Sequence, residues 1–298
     1  MNEVDSLVAT LVDAQIDSNR HFIAEEFTPL YHTSIYRSLT ADVRRRYNQL
    51  HALYFNEQIA FFEREMLAPS LQGLLRLPLP QKLAKGLKEF AEEERRHTAM
   101  FQGLNRRAAP ELYQDRATFF VRVSQLHLSV VCRMTRYPRA FPLFVWLALL
   151  LEERSVYYSK TCHACADQLE PHFAAVHRAH LADEIGHLQW DEELLDWLWP
   201  RTPFLFRGLN ARLLAWMVAE FFLFPKRSAV RVVDQLVSEH PTLDRAALLW
   251  AVRDLQTDAR YRSTQYSRDI VPRTFSRIAI HSEFAPLAKI LMPPLAAA

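Results

Sequence analysis

Hydrophobic positions in this chain recur at intervals of three and four over long stretches. Leu50, Leu53, Tyr54 and Phe61 share one helical face, as do Leu83, Leu87, Phe90 and Phe101. No run alternates apolar and polar residues with period two between turn residues. Prolines at 29, 69, 78, 80, 110, 138, 142, 171, 200, 203, 225, 241 and 272 act as punctuation, and the intervals between them read as helices. The pattern predicts a short helix near residues 3–20, then long helices at about 40–67, 81–105, 111–136, 140–167 and 171–198. Shorter helices are expected at about 204–223, 226–239, 242–262 and 284–291. No Ser/Gly linker and no repeat interrupts the series. The expectation is an all-α chain, residues 1–298, forming a single domain. Its core would be a four-helix bundle over about residues 40–198, with additional helices on both sides.

Composition narrows the functional classes. Only 5 of 298 residues are glycine, against an average near 7%, and neither GxGxxG nor GxxxxGK[ST] occurs. Glycine-rich phosphate loops and turn-rich β folds are therefore not expected. Formal net charge is +2, with basic and acidic residues interspersed, so no nucleic-acid partner is expected. Arg44, Arg45 and Arg46, and the Arg pairs at 95–96 and 106–107, read as solvated helix faces. The longest apolar run, FPLFVWLALLL at 141–151, falls short of the roughly 20 residues a bilayer span needs, so it predicts a buried core helix and no membrane anchor. MNEVDSLVATLVDAQ has neither the basic start nor the apolar run of a signal peptide. Three cysteines, an odd number, fit a reducing cytoplasm better than a disulfide framework. A cytoplasmic protein is the expectation.

The chemistry concentrates in HLADEIGHLQW, residues 180–190. As a helix, this puts His180, Glu184 and His187 on one stripe. Glu184 and His187 form an ExxH pair, and Glu94 and His97 form another within EEERRH, continuing the apolar stripe of the 81–105 helix. Residues three apart share a helix face, so each pair can offer a carboxylate and an imidazole to one point. Two such pairs, with one Glu from each of two further helices, make up the ligand arrangement of di-iron carboxylate bundles. Carboxylate oxygen neutralises the charge of iron and imidazole fixes its geometry. Bridging carboxylates would hold two metals about 3.5–4 Å apart. For the lone Glu on the first helix, Glu57 lies within the apolar arc of Leu50, Leu53, Tyr54, Ala60 and Phe61, and Glu63 lies off it. Glu57 is therefore chosen. On the third, Glu153 shares a face with Trp146, Leu150 and Tyr157, and Glu152 with Val145, Leu149 and Val156. Periodicity separates these poorly, and Glu153 is preferred. Each ExxH follows an acid, Glu93 or Asp183. These are candidate acceptors for the second N–H of a ligating histidine, each on the opposite helix.

The order Glu57, Glu94-x-x-His97, Glu153, Glu184-x-x-His187 resembles the ferritin-like di-iron oxygenases. His180, completing HxxxExxH, resembles the p-aminobenzoate N-oxygenase family over about residues 45–195. That resemblance implies two iron ions held by Glu57, Glu94, His97, Glu153, His180, Glu184 and His187. It also implies O2 as co-substrate, activated through a peroxo-type di-ferric species, and an external electron donor. The implied reaction oxidises the nitrogen of a small arylamine to hydroxylamine, nitroso or nitro, in natural-product biosynthesis. A small-molecule amine, a redox partner and a second copy of the chain, as homodimer, are the expected partners.

Other features have plainer readings. His172 and His177 show that the segment is His-rich, and His177 could share the stripe of His180. Cys162-His163-Ala164-Cys165 is a lone CxxC without a second pair, so buried small side chains are expected. Phe61, Phe62, Phe90, Phe101, Phe144, Trp146 and Trp190 read mostly as core, some able to line a substrate pocket. AWMVAEFFLF at 215–224 reads as helix packing or a dimer face. Two rival functions remain open: a di-iron hydroxylase or desaturase acting on carbon, and a non-catalytic ferritin-like iron-binding protein. A purely structural helical protein would bind no metal.

Overall fold

The computed structural model describes residues 15–223 and 226–291. Among these it is helical, and its one β-type pairing is an isolated bridge between His21 and Leu169. Four long helices carry the site: α1 (Ala41–Phe62), α3 (Gln81–Ala108), α5 (Leu143–Ala164) and α6 (Pro171–Leu198). Each follows from its sequence. Thr40 caps α1 by accepting from the Val43 amide, and Glu170 caps α6 by accepting from His172 and Phe173. Pro171 occupies the first position of α6, where its missing N–H has no partner to lose. In α5 every residue from Leu143 to Leu150 is buried, the property of a helix enclosed on all sides. The 141–151 run thus lies in the core, and no described helix is long and apolar enough to cross a membrane.

The helical run that begins with α1 does not stop at residue 67. After Phe62 the chain makes one wider π-helical turn, Glu63–Leu67, and continues as α2 (Ala68–Leu74) through Pro69. Such turns interrupt the regular ladder and cluster at functional positions. The helix expected at 111–136 is instead a single turn, Pro110–Tyr113, an irregular stretch, and α4 (Gln125–Thr135). Beyond the bundle lie α7 (Phe204–Met217, with a π turn Val218–Phe222), α8 (Lys226–Glu239), α9 (Arg245–Asp254), α10 (Ala259–Gln265), α11 (Pro272–Ala279) and α12 (Ala285–Leu291). The segment expected as one helix at 242–262 breaks at residues 255–258, because Asp258 caps the next helix through the Tyr261 amide. α11 escaped the sequence reading, although Pro272 at its start was a signal. On the N-terminal side, residues 15–20 are not helical, the rest of the 3–20 expectation lies outside the described residues, and three short 3-10 turns fill 25–38.

Two clusters of buried apolar side chains flank the bundle. One joins α1, α5, α6 and α8 around Phe22, Tyr47, Tyr158 and Phe173. The other joins α3, α5, α6 and the C-terminal helices around Trp146, Leu195, Trp199 and Phe284. The ligand-type residues lie between them. From AWMVAEFFLF, Ala215, Met217, Val218, Phe222 and Leu223 are buried, whereas Trp216 and Phe221 are exposed.

Candidate metal centre

On α6 one buried stripe runs His177, His180, Glu184, His187, Asp191. α3 turns Glu94 and His97 toward it, both buried. The groups converge closely. His97 Nδ1 lies 3.6 Å from Glu94 Oε1 and 3.4 Å from Glu184 Oε1. His187 Nδ1 lies 3.1 Å from Glu94 Oε1 and 3.4 Å from Glu184 Oε1. Both carboxylates therefore stand between both imidazoles. His180 Nε2 lies 2.8 Å from Glu184 Oε1 and 3.5 Å from Glu63 Oε1. Glu152 Oε2 lies 3.8 Å from His187 Nδ1. Two overlapping groups could each hold a metal ion: Glu94, His97, Glu184 and His187, and Glu63, His97 and His180.

The donor set fits metal ions better than it fits itself. Both oxygens of Glu94 and of Glu184, Nδ1 of His97 and His187, and Nε2 of His180 are buried without a hydrogen-bond partner. Orphaned buried polar atoms are costly, and so many aimed at one point call for cations. The outward nitrogens are engaged. His97 Nε2 donates to Asp183 Oδ2 at 3.1 Å, and His187 Nε2 to Glu93 Oε2 at 3.0 Å. Each acid sits on the helix opposite its histidine, as expected from the sequence. This fixes the tautomer with Nδ1 facing the cluster. His180 Nδ1 has Ser155 Oγ at 3.4 Å, and Glu63 Oε2 accepts from Thr98 Oγ1 at 3.0 Å.

Electrostatics within the protein alone follow the same geometry. Burial pushes the Glu94 carboxyl up, but His187 and His97 more than offset it and hold it down to about 2. Burial disfavours charged His97, yet Asp183 and Glu94 raise it to about 10. Burial and the neighbouring Glu94 push Glu63 well above the carboxylate range. His180 goes far the other way, through burial and then His97.

Two sequence choices are corrected. Glu57 is buried, but its carboxylate serves the 114–124 segment: it accepts from Tyr113 Oη at 2.6 Å and from the amides of Phe119 (2.8 Å), Phe120 (2.8 Å) and Val121 (2.7 Å). Glu63 occupies the cluster instead. It was set aside because it lay off the apolar arc, yet from Tyr47 to Glu57 every residue of α1 is buried, so no arc could discriminate. Glu153 likewise serves the fold, accepting from the amides of Arg273 at 2.6 Å and Thr274 at 2.9 Å at the start of α11. Glu152, its neighbour, faces His187. Glu94, His97, His180, Glu184 and His187 stand together as expected. His177 is buried beside Phe55 and Phe101, with both ring nitrogens unpartnered, outside the two candidate metal groups. Cys162 and Cys165 are free thiols, Cys162 buried.

Beside the cluster lies a small cavity. Glu63, Glu152 and His180 form one wall, and Phe55, Ile59, Phe62 and Phe222 give it an apolar lining.

Two comparisons with known proteins were informative. A family model described as P-aminobenzoate N-oxygenase AurF matches residues 9–246. No curated protein matches the chain.

Proposed function

Since the chain belongs to the p-aminobenzoate N-oxygenase family, we propose that it is an O2-dependent di-iron oxygenase that oxidises the nitrogen of a small arylamine. The observation that carries this reading is the pair of carboxylates, Glu94 and Glu184, each within ion-pair distance of both His97 and His187. Glu63, Glu94, His97, Glu152, His180, Glu184 and His187 would hold the two iron ions. Bound there, two iron ions would supply the electrons and the oxygen-binding positions that O2 chemistry needs.

The chain's own residues would do the rest. Asp183 and Glu93 hold the imidazoles of His97 and His187 in one tautomer. Glu94 and Glu184 would neutralise the positive charge, and Phe55, Phe62 and Phe222 line the cavity with apolar surface. The overall reaction for the first oxidation is amine plus O2, two electrons and two protons, giving hydroxylamine and water. The electrons come from an external redox partner. The helices after residue 198 brace the bundle through Glu153 and Arg154, which supports treating residues 1–298 as one functional domain. A cytoplasmic setting fits the three free thiols, and homodimerisation and a role in biosynthesis belong to the same proposal.

The test is metal analysis followed by product analysis. After anaerobic reconstitution the protein is expected to hold two irons per chain. With reductant, O2 and an arylamine it is expected to give N-oxygenated products. Absence of stoichiometric iron would overturn the reading. Oxidation at carbon alone would replace it with a hydroxylase, and a cage-sized assembly without turnover would point to iron storage.

A further inference from the structure

Electrons must reach the cluster from outside, and electron transfer slows steeply with distance. The shortest way in lies where a ligand-type residue comes nearest to solvent. On the outer face of α3 and α6 that distance is one imidazole and one hydrogen bond. His97 reaches Asp183 at 3.1 Å and His187 reaches Glu93 at 3.0 Å, and the two acid side chains are 26% and 29% exposed. His180 offers no such route, because its second nitrogen meets Ser155, which is buried. The cavity draws its walls from the helical run of α1, from α5, His180 and Phe222, and from no residue of α3. An occupant of the outer face therefore leaves the cavity free.

The outer face also permits close approach. Ile185 is 53% exposed, and Gly186 beside it is exposed too. Glycine inside a helix costs propensity, and nothing lies within 4 Å of the Cβ that Gly186 lacks. Packing within the chain does not ask for this glycine. With Ala182 and Gln189, also exposed, these positions form an uncharged strip on α6. The surroundings are basic. Residues 95–108 of α3 include Arg95, Arg96, Arg106 and Arg107, residues 171–182 of α6 include Arg178, and neither stretch contains Asp or Glu. Of the acids alongside, Glu92 is bound by Arg95, and Glu93 and Asp183 turn to their histidines. An uncharged centre inside a charged rim suits a small, transient interface, and a basic rim selects an acidic partner. We infer that the outer face of α3 and α6 is the docking surface of a small, acidic, one-electron carrier protein. Two successive encounters, each oxidising one carrier by one electron, deliver the two electrons of the overall reaction, through Asp183 and His97 or Glu93 and His187, and two ferric ions are reduced to ferrous. This rests on the oxygenase reading and deepens it.

The probes are two acidic carriers, a plant-type ferredoxin with a 2Fe–2S cluster and a flavodoxin. Binding to the full-length protein is measured by calorimetry, and the bound face by amide hydrogen exchange. At least one carrier is expected to bind, to protect the outer face of α3 and α6, and to lose about tenfold in affinity between about 20 and 200 mM salt. Arg106→Glu combined with Arg178→Glu is expected to weaken binding about tenfold, Gly186→Gln about fivefold, and Arg260→Glu on α10 by no more than about twofold. Gly186→Gln has open space for its side chain and is expected to fold. On iron-loaded protein, reduction by the carrier is expected to slow in the same order, whereas reduction by dithionite stays unchanged. Failure of both carriers to bind, protection confined to other faces, or an Arg260→Glu effect equal to that of the double reversal would each overturn the inference. If the double variant does not fold, Gly186→Gln and the salt dependence decide. Iron content is read on the same samples. Two irons and dithionite-driven N-oxygenation with no carrier on this face overturns the docking surface alone. Protection of this face without stoichiometric iron keeps the docking surface and sinks the oxygenase reading.

Discussion

At the scale of single residues, two carboxylates on one helix do different work, and substitution separates them. Glu63→Ala is expected to lower iron from two per chain to about one, with the fold intact, because its carboxylate is one wall of the cluster. Glu57→Ala is expected to leave the stoichiometry at two while destabilising the protein by about 2–4 kcal/mol, since four donors, two of them buried, lose their acceptor. Iron analysis and urea denaturation on both variants check this, and the opposite pattern would return Glu57 to the metal. A second residue-level prediction concerns His51, buried on α1, whose pKa burial, with Arg154, depresses to about 3. The unfolded value lies near 6.5, so in acid the unfolded chain takes up a proton that the folded one refuses. The stability this confers is whole above pH 6.5 and is lost as pH falls toward 3. By pH 5 the loss amounts to about 2 kcal/mol. His51→Gln should lose about that much less than wild type between pH 7.5 and 5. An unchanged pH slope would show that His51 titrates normally.

Helix existence and the pairing of carboxylate and imidazole in each ExxH were legible at the scale of elements because both depend on short-range spacing. α6 was expected at 171–198 and runs Pro171–Leu198, since Pro171, Glu170 and Pro200 set its ends locally. The ExxH pairs were legible because i and i+3 share a face whatever the helix packs against. The misses were long-range. Residues 114–124 leave the helix because the amides of Phe119, Phe120 and Val121 bond to Glu57, more than sixty residues earlier, and periodicity carries no record of that. The same contacts engage the Glu57 carboxylate away from the cluster. Glu153 was drawn away by α11, a helix the sequence reading had not placed. Packing between elements is testable at Gly86 on α3, where an added Cβ would stand 2.4 Å from the Trp190 ring of α6. Gly86→Ala gains up to about 1 kcal/mol of helix propensity but overpacks by about 1–3 kcal/mol, so net destabilisation is expected. In a Trp190→Ala background the same change should become stabilising. A double-mutant cycle by urea unfolding measures this, and additive effects would show that the two helices do not meet there.

The whole molecule is built around a feature that weakens it when metal is absent. Glu63, Glu94, Glu152, Glu184, His97, His180 and His187 are all buried, and most of their inward atoms lack hydrogen-bond partners. Polar groups buried this way oppose folding unless something compensates them, and the two apolar clusters beside them must bear that cost in the apoprotein. Cations that bind the folded chain alone add RT ln(1 + [L]/Kd), about 2.7 kcal/mol at a hundredfold excess over Kd. For a chain of this size that corresponds to a rise in Tm of about 4 °C. Iron addition to the anaerobic apoprotein should therefore raise Tm by that amount, and chelation should reverse it. Glu94→Ala, which removes a carboxylate facing both His97 and His187, should flatten the response, whereas Glu57→Gln, although less stable throughout, should keep it. If iron left Tm unchanged in the wild type, the cluster would have no energetic claim on a metal, and the buried histidines and carboxylates would have to be stabilised by one another.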